Sequence, residues 1–292
     1  RAYGVKTAMS VNEALTLCPK LKMLSPNYPL YHELSQKLKE LLLKEIPLVE
    51  QFSIDEFFGD LSGYIEEDEV IEFAYYLKNK IQKELGLPIS IGIANTKYLS
   101  KLITEYAKPD GVKYVSKDNV GNFIRNIPIA EFPGIGKGFQ ERLKGYGVRT
   151  LGDIKNKREL FYSWKKPGID LYNRVFGIRD NKITTFREKK SIGIGRTFDC
   201  IYQRDELRRR VAILSRYLCF LVKKSNVNPL NYAIKIKYES NLKSKNYMNV
   251  NTIFNELDFK NHMNELFTKN DTHPSHGVVQ LNITVSNFAK PN

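Results

Sequence analysis

Two adjacent carboxylates, Asp55 and Glu56, are the residues of this sequence with the clearest potential for chemistry. They follow a strand-like run, residues 48–52, and lead directly into a second apolar run, residues 57–61, which places them at the tip of a predicted β-hairpin. Adjacent side chains point to opposite faces of a regular strand, so the two carboxylates converge only if the backbone turns between them. Paired acids in a basic protein favour a divalent-metal site for phosphate chemistry, although a solvated acidic turn is the alternative.

The charge distribution favours an enzyme that binds a polyanion. The net charge of the chain is +14. Residues 1–115 contain 14 basic and 16 acidic side chains, whereas residues 116–190 carry a net charge of +9 and residues 191–292 carry +7. The carboxylate pair therefore lies in a near-neutral part that is followed by two basic parts, as expected of a metal-dependent enzyme that holds nucleic acid with separate modules. A basic surface can also serve solubility alone.

Composition and cysteine content limit the class of protein. The 292 residues, of which 42% are hydrophobic and 27% charged, predict two or three globular domains. No apolar run approaches the roughly 18 residues of a membrane span, and no signal peptide opens the sequence. Cys18, Cys200 and Cys219 show no metal-ligand spacing and are interpreted as reduced thiols, so we expect a cytoplasmic protein. Because the sequence opens at Arg1 without a methionine, we expect it to be the middle of a longer protein.

The elements that position the carboxylates are predicted from hydrophobic periodicity. The predicted helices of the first part cover residues 31–46, 68–85 and 96–107, and its predicted strands cover residues 48–52, 88–94 and 113–115. We expect these strands to form one sheet with helices on a face. Short helices punctuated by glycine are expected from Ser116 to Asn181, followed by a linker without apolar periodicity.

The last hundred residues predict a second α/β unit. The predicted strands cover residues 191–198, 230–239 and 277–288, and a long helix carries Leu207, Val211, Leu214, Leu218 and Leu221 on one face. In the last strand, the residues expected to face the core are Val279, Leu281, Ile283 and Val285.

Residues 132–137, with the sequence Phe-Pro-Gly-Ile-Gly-Lys, are similar to the hairpin of a helix–hairpin–helix motif. Gly134 and Gly136 allow the backbone to approach a phosphate, and the amides at the start of the next helix would point at it. Lys137 adds positive charge. A Gly-x-Gly turn by itself often only joins two helices, so the whole pattern carries the prediction of a contact with the phosphate backbone rather than with bases.

Lysines in two other places are candidate phosphate ligands. In the last unit, Lys235 and Lys237 alternate with apolar residues, so we expect them on the outward face of the sheet, where they could bind DNA. In the first part, Lys108 lies in an Ala-Lys-Pro-Asp-Gly turn. Such a lysine is usually solvated, but this one belongs to the same predicted domain as the carboxylate pair and could contact a phosphate near a metal ion.

Four motifs in one order resemble the Y-family (translesion) DNA polymerases, the family with polymerase IV-type and UmuC-type members. They are Ser-Ile-Asp-Glu at residues 53–56, Gly-Ile-Ala-Asn-Thr-Lys at residues 92–97 with Lys101, the turn at residues 107–111, and Phe-Pro-Gly-Ile-Gly at residues 132–136. The resemblance extends over nearly the whole chain. It implies an α+β right-hand polymerase with a helical thumb and a little finger of four strands and two helices.

The resemblance also implies a division into domains. The expected parts are a remnant of the fingers at residues 1–23, the catalytic palm at residues 24–115, the thumb with the helix–hairpin–helix at residues 116–181, a linker at residues 182–190 and the little finger at residues 191–292. The implied activity is template-directed DNA synthesis past damaged bases, in DNA repair and the SOS response. Primer–template DNA and deoxynucleoside triphosphates are the implied partners, and a sliding clamp is a further one.

The family's catalytic residues are assigned by the same resemblance. Asp55 and Glu56 would bind two Mg²⁺ ions, Asp55 bridging both and Glu56 holding the ion on the primer side. Arg1 and Lys108 would contact the incoming triphosphate. The ions would stabilise the attacking and leaving oxygens when the primer 3′-hydroxyl attacks the α-phosphate.

Two departures from the family pattern leave alternatives open. The first palm strand with its metal-binding aspartate would lie before Arg1, so the sequence as it starts here is expected to be catalytically incomplete. Phe57 stands where many members carry a small residue. A non-catalytic DNA-binding fragment or accessory protein is one alternative to a polymerase. A metal-dependent nuclease is another, but it would need further acidic ligands, for which no convincing candidate follows Asp60.

Overall fold

A computed structural model of the chain describes residues 2–178, 182–186 and 188–289. It has the mixed α and β fold that the sequence predicts. The chain divides into two compact units, residues 1–186 and residues 187–292, which are described separately below. Within the described ranges, no helix combines the length and the apolar character that a membrane span requires.

The first unit contains eight labelled helices and four strands among its described residues. The helices are α1 (Val11–Leu17), α2 (Tyr28–Glu45), α3 (Val70–Leu85), α4 (Lys97–Ala107), α5 (Val120–Ile124), α6 (Lys137–Gly145), α7 (Arg158–Ser163) and α8 (Lys165–Val175). The strands are β1 (Leu48–Gln51), β2 (Phe57–Asp60), β3 (Ile91–Ile93) and β4 (Val112–Tyr114). Short 3₁₀ turns at Lys117–Asn119, Ile129–Glu131 and Gly152–Lys157 complete the helical region.

Helix boundaries follow local capping chemistry. Helix α2 begins three residues before the predicted start because the Asn27 side chain accepts the Leu30 N–H at 3.3 Å and Pro29 occupies the first turn. Helix α3 ends at Gly86, whose φ of 67° is a left-handed conformation that glycine adopts without strain. Strand β3 covers only three of the seven residues predicted for it.

The prediction of one sheet in the first unit is wrong. Strands β1 and β2 form an antiparallel hairpin, and strands β3 and β4 form a separate parallel pair. No other described strand pairs with either sheet. A cavity of roughly 640 Å³, lined by residues of β2 and β3 among others, lies between them. A five-residue loop connects β1 to β2, and helix α4 connects β3 to β4. Both strand pairs can form with these connections alone, without hydrogen bonds between one pair and the other.

Helix α4 packs on the helical region that follows it. Its buried residues Leu99, Leu102 and Ile103 belong to one apolar cluster with residues of α6, α7 and α8. A second cluster in the same unit joins α2, α3 and β1. The helix therefore has one face in a large core, and its remaining surface is available to hold polar side chains.

The second unit is one four-stranded antiparallel sheet with two helices. Its elements are β5 (Ser191–Ile201), α9 (Arg204–Ser225), β6 (Asn228–Tyr238), β7 (Lys243–Asn249), α10 (Glu256–Asn270) and β8 (Val278–Ala289), and the strand order is β5-β8-β6-β7. Both helices pack on the same core, which Ile234, Ile236 and Tyr238 of β6 enter fully buried. The prediction of four strands and two helices is confirmed.

The predicted alternation of β8 fails at its first residues. Leu281, Ile283 and Val285 are fully buried as expected, but the buried residue before them is Val278 rather than Val279. In the pairing of β6 with β8, Lys237 lies opposite Gln280, but the next residue of β6, Tyr238, lies opposite Val278. Val279 is therefore the extra residue of a β-bulge. A bulge reverses the facing of every residue beyond it.

Candidate active site

The loop of the β1–β2 hairpin holds the two carboxylates. Strand β1 ends at Gln51 and β2 begins at Phe57. The loop is closed by two backbone hydrogen bonds, from the Phe52 N–H to the Glu56 carbonyl at 2.9 Å and from the Ser53 N–H to the same carbonyl at 3.2 Å. Because the chain reverses within the loop, Asp55 and Glu56 are released from the alternation of a regular strand.

Asp55 and Glu56 converge on the hydroxyl of Ser53. The Ser53 Oγ donates to Asp55 Oδ1 at 2.7 Å and lies 3.4 Å from Glu56 Oε2. The Asp55 carboxylate is exposed and that of Glu56 is half-buried. The backbone therefore turns in the loop, and the two carboxylates converge as the predicted metal site requires.

The two carboxylates fit a metal ion that takes its other ligands from a substrate. Among the described residues, no group of three or more His, Cys, Asp and Glu side chains could hold a metal ion. Magnesium is commonly bound through one or two carboxylates together with substrate phosphates and water. An exposed Asp55 and a half-buried Glu56 on one loop would therefore suit Mg²⁺ that takes its other ligands from a nucleotide, and they do not suit a metal ion held by protein ligands alone.

Two lysines of α4 contact the hairpin. Lys101 forms an ion pair with Glu56, and its ammonium lies 5.3 Å from the centre of the Phe52 ring. Lys97 forms an ion pair with Glu50 of β1 at 2.7 Å. Both lysines belong to the family motifs of the sequence, which predict no contact for either of them. The available signal was their spacing of four residues, which puts two side chains on one face of a helix.

Lys108 lies at the end of α4 and is exposed. Its ammonium pairs with Glu105 at 2.5 Å, one helical turn earlier. Asp110, in the same turn of the chain, pairs with Lys78 of α3 at 3.1 Å. The structure thus shows Lys108 at the surface with an acidic partner on its own helix. Arg1, the other predicted triphosphate ligand, lies outside the described residues.

The predicted phosphate-binding hairpin lies at the start of α6. Gly134 has a φ of 95°, a conformation that favours glycine, and Gly136 is the residue before the helix, with an ordinary φ of −75°. Both glycines are exposed, and a β-carbon at either would meet nothing within 4 Å. No side chain caps the first amides of α6, so these groups and the exposed Lys137 are available to an anion.

The outward face of the second unit's sheet carries a group of four lysines, which we call the lysine face. Lys235 and Lys237 of β6 lie opposite Lys245 and Lys243 of β7 in the antiparallel register. The first two lysines are predicted from the sequence and the second two are not, because the resemblance implies a fourth strand without giving its position. The alternating sequence Lys-Ser-Lys at residues 243–245 was the signal for it.

Three relatives of the chain carry the description "DNA polymerase IV". The chain is 28% identical to that of Lactococcus lactis subsp. cremoris (strain MG1363), over 99% of this chain and 80% of the relative. It is 28% identical to that of Clostridioides difficile (strain 630) over the same shares. It is 34% identical to that of Yersinia enterocolitica over 68% of this chain and 57% of the relative. The sequence model of the impB/mucB/samB family matches residues 1–105.

Solved structures of similar fold cover the whole chain. A Y-family DNA polymerase chimera of Dbh and Dpo4 superimposes with a TM-score of 0.88 at 20% identity, over 100% of this chain and 86% of the chimera. An insertion ternary complex of Dbh DNA polymerase superimposes with a TM-score of 0.63 at 20% identity, over the same shares. The two-unit fold of this chain is therefore also found in these polymerases.

Proposed function

This chain belongs to the Y family of DNA polymerases, and from that premise we propose that Asp55 and Glu56 form the metal-binding carboxylate pair of a translesion polymerase. The activity is template-directed DNA synthesis past damaged bases. The observation that carries the site assignment is the convergence of the two carboxylates on the Ser53 hydroxyl. Two acids that share one hydroxyl are close enough to share a metal ion.

Polymerases of this family are nucleotidyltransferases that use divalent metal ions. Asp55 and Glu56 would hold two Mg²⁺ ions, with Asp55 as a ligand of both and Glu56 as a ligand of the ion on the primer side. When bound, such ions stabilise the attacking and leaving oxygens of an in-line displacement at phosphorus. The exposure of Asp55 leaves its carboxylate open to the phosphates of a nucleotide, while the ion pair with Lys101 orients Glu56 from the protein side.

Lys108 and Arg1 are proposed ligands of the triphosphate. For Lys108 this requires that its ammonium exchange Glu105 for a phosphate. An exposed ion pair between residues three apart on a helix contributes only about 0.5 kcal/mol, so a polyanionic substrate can compete for the lysine. The role of Arg1 rests on the family resemblance alone.

The predicted DNA-binding residues lie on surfaces suited to phosphate. In the first unit these are Gly134, Gly136 and Lys137, at a helix start with uncapped amides. In the second unit they are Lys235 and Lys237, which lie beside Lys243 and Lys245 on the lysine face. On α6 the Gln140 amide donates to the Ile135 carbonyl at 3.0 Å and the Arg142 guanidinium lies over the Trp164 ring, while the second surface is the face of a sheet. We therefore propose contacts with the DNA backbone rather than with bases. The domain boundaries, the sliding clamp and the cytoplasmic location stay predictions.

Substitution of the acids tests the proposed site. In the full-length protein, Asp55→Asn or Glu56→Gln is expected to lower nucleotide addition in a primer-extension assay by about 100-fold or more, because a positioned electrostatic group is lost. The affinity for primer–template duplex, measured by fluorescence anisotropy, should stay within about twofold, since the proposed DNA contacts lie elsewhere.

Asp60→Asn is the matched control, because Asp60 lies on the same hairpin and caps the Ser62 N–H at 3.0 Å, a bond that asparagine can keep. This variant should extend primers normally. Parallel loss of DNA binding and activity in the Asp55 or Glu56 variants would show a structural role for the pair and refute the metal assignment. Persistent extension by both variants would favour a non-catalytic role of these acids.

A further inference from the structure

A nearly buried ion pair holds the strand that leads into the loop of the carboxylate pair. The Glu50 side chain has no exposed surface, and its carboxylate lies 2.7 Å from the ammonium of Lys97, which is 8% exposed. Removing a charge from water carries a large free-energy cost, which the attraction between the two ions does not always repay, so a buried ion pair is weak support for a role in stability. Such a pair requires another explanation, and fixing one arrangement of the chain is the use best supported in other proteins.

Glu50 lies at the point where three segments of the first unit meet. It belongs to β1, its partner Lys97 begins α4, and its carboxylate also accepts the backbone N–H of Thr184 at 2.9 Å. In the hairpin register Glu50 faces Phe58 of β2, and the Lys97 ammonium lies 5.5 Å from the centre of that ring. The ion pair therefore holds both strands of the hairpin against α4.

One helical turn later, α4 makes the same kind of contact with the loop. Lys101 pairs with Glu56 and lies over the Phe52 ring. The rings of Phe52 and Phe58 pack edge to face with their centres 5.4 Å apart. The stem and the loop of the hairpin are thus each held to α4 by a lysine, an acid and an aromatic ring, and the two sets of contacts touch through the rings.

We propose that Lys97 is a positioning residue for the carboxylate pair and acts through Glu50. The inference rests on the proposed function, in which Asp55 and Glu56 hold the metal ions. Among the described residues, the ion-pair partner of Lys97 is Glu50 and not Asp55 or Glu56. By fixing the hairpin stem on α4, it fixes the direction in which the loop presents its two carboxylates.

The test removes both buried charges at once, so that neither is left without a partner. In the full chain, Glu50→Gln with Lys97→Met keeps an oxygen acceptor for the Thr184 N–H. Affinity for Mn²⁺, measured by electron paramagnetic resonance, is expected to fall by about tenfold, as is typical when residues behind metal ligands are changed. Hydrogen–deuterium exchange of the hairpin, residues 48–60, should accelerate by about fivefold or more while that of α3 stays unchanged.

The matched control is Glu45→Gln with Lys80→Met. This ion pair, at 2.8 Å, joins α2 and α3 of the same unit and is half-buried. The control variant should leave the Mn²⁺ affinity and the hydrogen–deuterium exchange of the hairpin unchanged, even if it lowers the melting temperature as much as the test variant does. In the otherwise unchanged chain, Lys97→Arg should keep most of the Mn²⁺ affinity, because it leaves a cation beside Glu50.

Equal effects of the test and control variants on exchange throughout the unit would show a merely structural role and overturn the proposal. If the double variant does not fold, Glu50→Gln alone is measured in the same two assays, and unchanged hairpin exchange would refute the positioning role. Asp55→Asn in the otherwise unchanged chain separates the two proposals. If it leaves Mn²⁺ binding intact, the metal assignment fails, and hairpin exchange still decides the role of Lys97.

Discussion

Ser53 organises the acidic loop at the scale of single residues. Its hydroxyl donates to Asp55 Oδ1 at 2.7 Å and lies within 3.4 Å of Glu56. Two carboxylates that approach one another repel, and a shared donor between them offsets part of that repulsion. A metal ion would stabilise the same arrangement, so the serine prepares the acids for the ion rather than competing with it.

We therefore expect Ser53→Ala to weaken metal binding without affecting the fold. The loop is at the surface, and loss of a hydrogen bond to a charged group there should cost about 1 kcal/mol, or roughly fivefold in Mn²⁺ affinity. Isothermal titration with Mn²⁺ measures the change, and thermal unfolding should show the same melting temperature within about 2 °C. Ser62→Ala, in the turn just after β2, is the control and should change neither quantity. Unaltered Mn²⁺ affinity in the Ser53 variant would exclude this role.

Strand pairing creates the lysine face at the scale of elements. The register of β6 with β7 puts Lys235 opposite Lys245 and Lys237 opposite Lys243. Like charges directly opposite one another destabilise a sheet. The side chains on the other face of β6 are a buried apolar core, so the lysines cannot turn inward. A surface that holds four lysines together, although their repulsion destabilises the sheet, is suited to binding a polyanion.

The two strands should contribute equally to DNA binding. Lys243→Ala with Lys245→Ala is expected to flatten the dependence of log K on log salt by at most about two units, because each lysine neutralises at most one phosphate. Lys235→Ala with Lys237→Ala is expected to flatten it by the same amount. Fluorescence anisotropy at several salt concentrations measures the slope. Arg216→Ala with Lys224→Ala removes the same charge from α9, which packs on the opposite face of the sheet, and should leave the slope unchanged. Equal slopes for all three double variants would assign the effect to net charge alone.

Charge is separated along the chain at the scale of the whole molecule. The part that holds the acids, residues 1–115, has a net charge of −2, whereas residues 116–292 carry +16. An acidic site for metal ions and basic surfaces for DNA can thus coexist in one chain without neutralising one another. The attraction between such basic surfaces and a duplex arises mainly from released counterions and is independent of base sequence.

The chain should therefore bind primer–template duplex with strong salt dependence and little sequence preference. If about six phosphates are neutralised, the slope of log K against log salt is about −5. Duplexes of equal length and different sequence should differ in affinity by less than about tenfold. Competition titrations at two salt concentrations measure both quantities. A salt-insensitive affinity would contradict the assignment of the basic parts to DNA.

Local patterns in the sequence were sufficient for much of this protein. The hairpin around Asp55, the apolar faces of α3 and α9 and the glycine turn before α6 each depend on residues within about four positions of one another, where periodicity and turn chemistry act. The order of the motifs was sufficient for the family. The bulge at Val279 and the position of β7 did not follow from the sequence, because a strand's facing and pairing depend on its neighbours in the sheet.

Only the tertiary structure decided which side chains meet across long separations in the sequence. Asp55 and Glu56 share the Ser53 hydroxyl because the loop turns, an outcome that their adjacency alone left open. Glu50 meets Lys97 and Thr184 across 47 and 134 residues, and no periodicity encodes such a meeting. The helices and strands of the first unit can be predicted one by one, but the packing of α4 against the hairpin depends on the combined burial of every element around it.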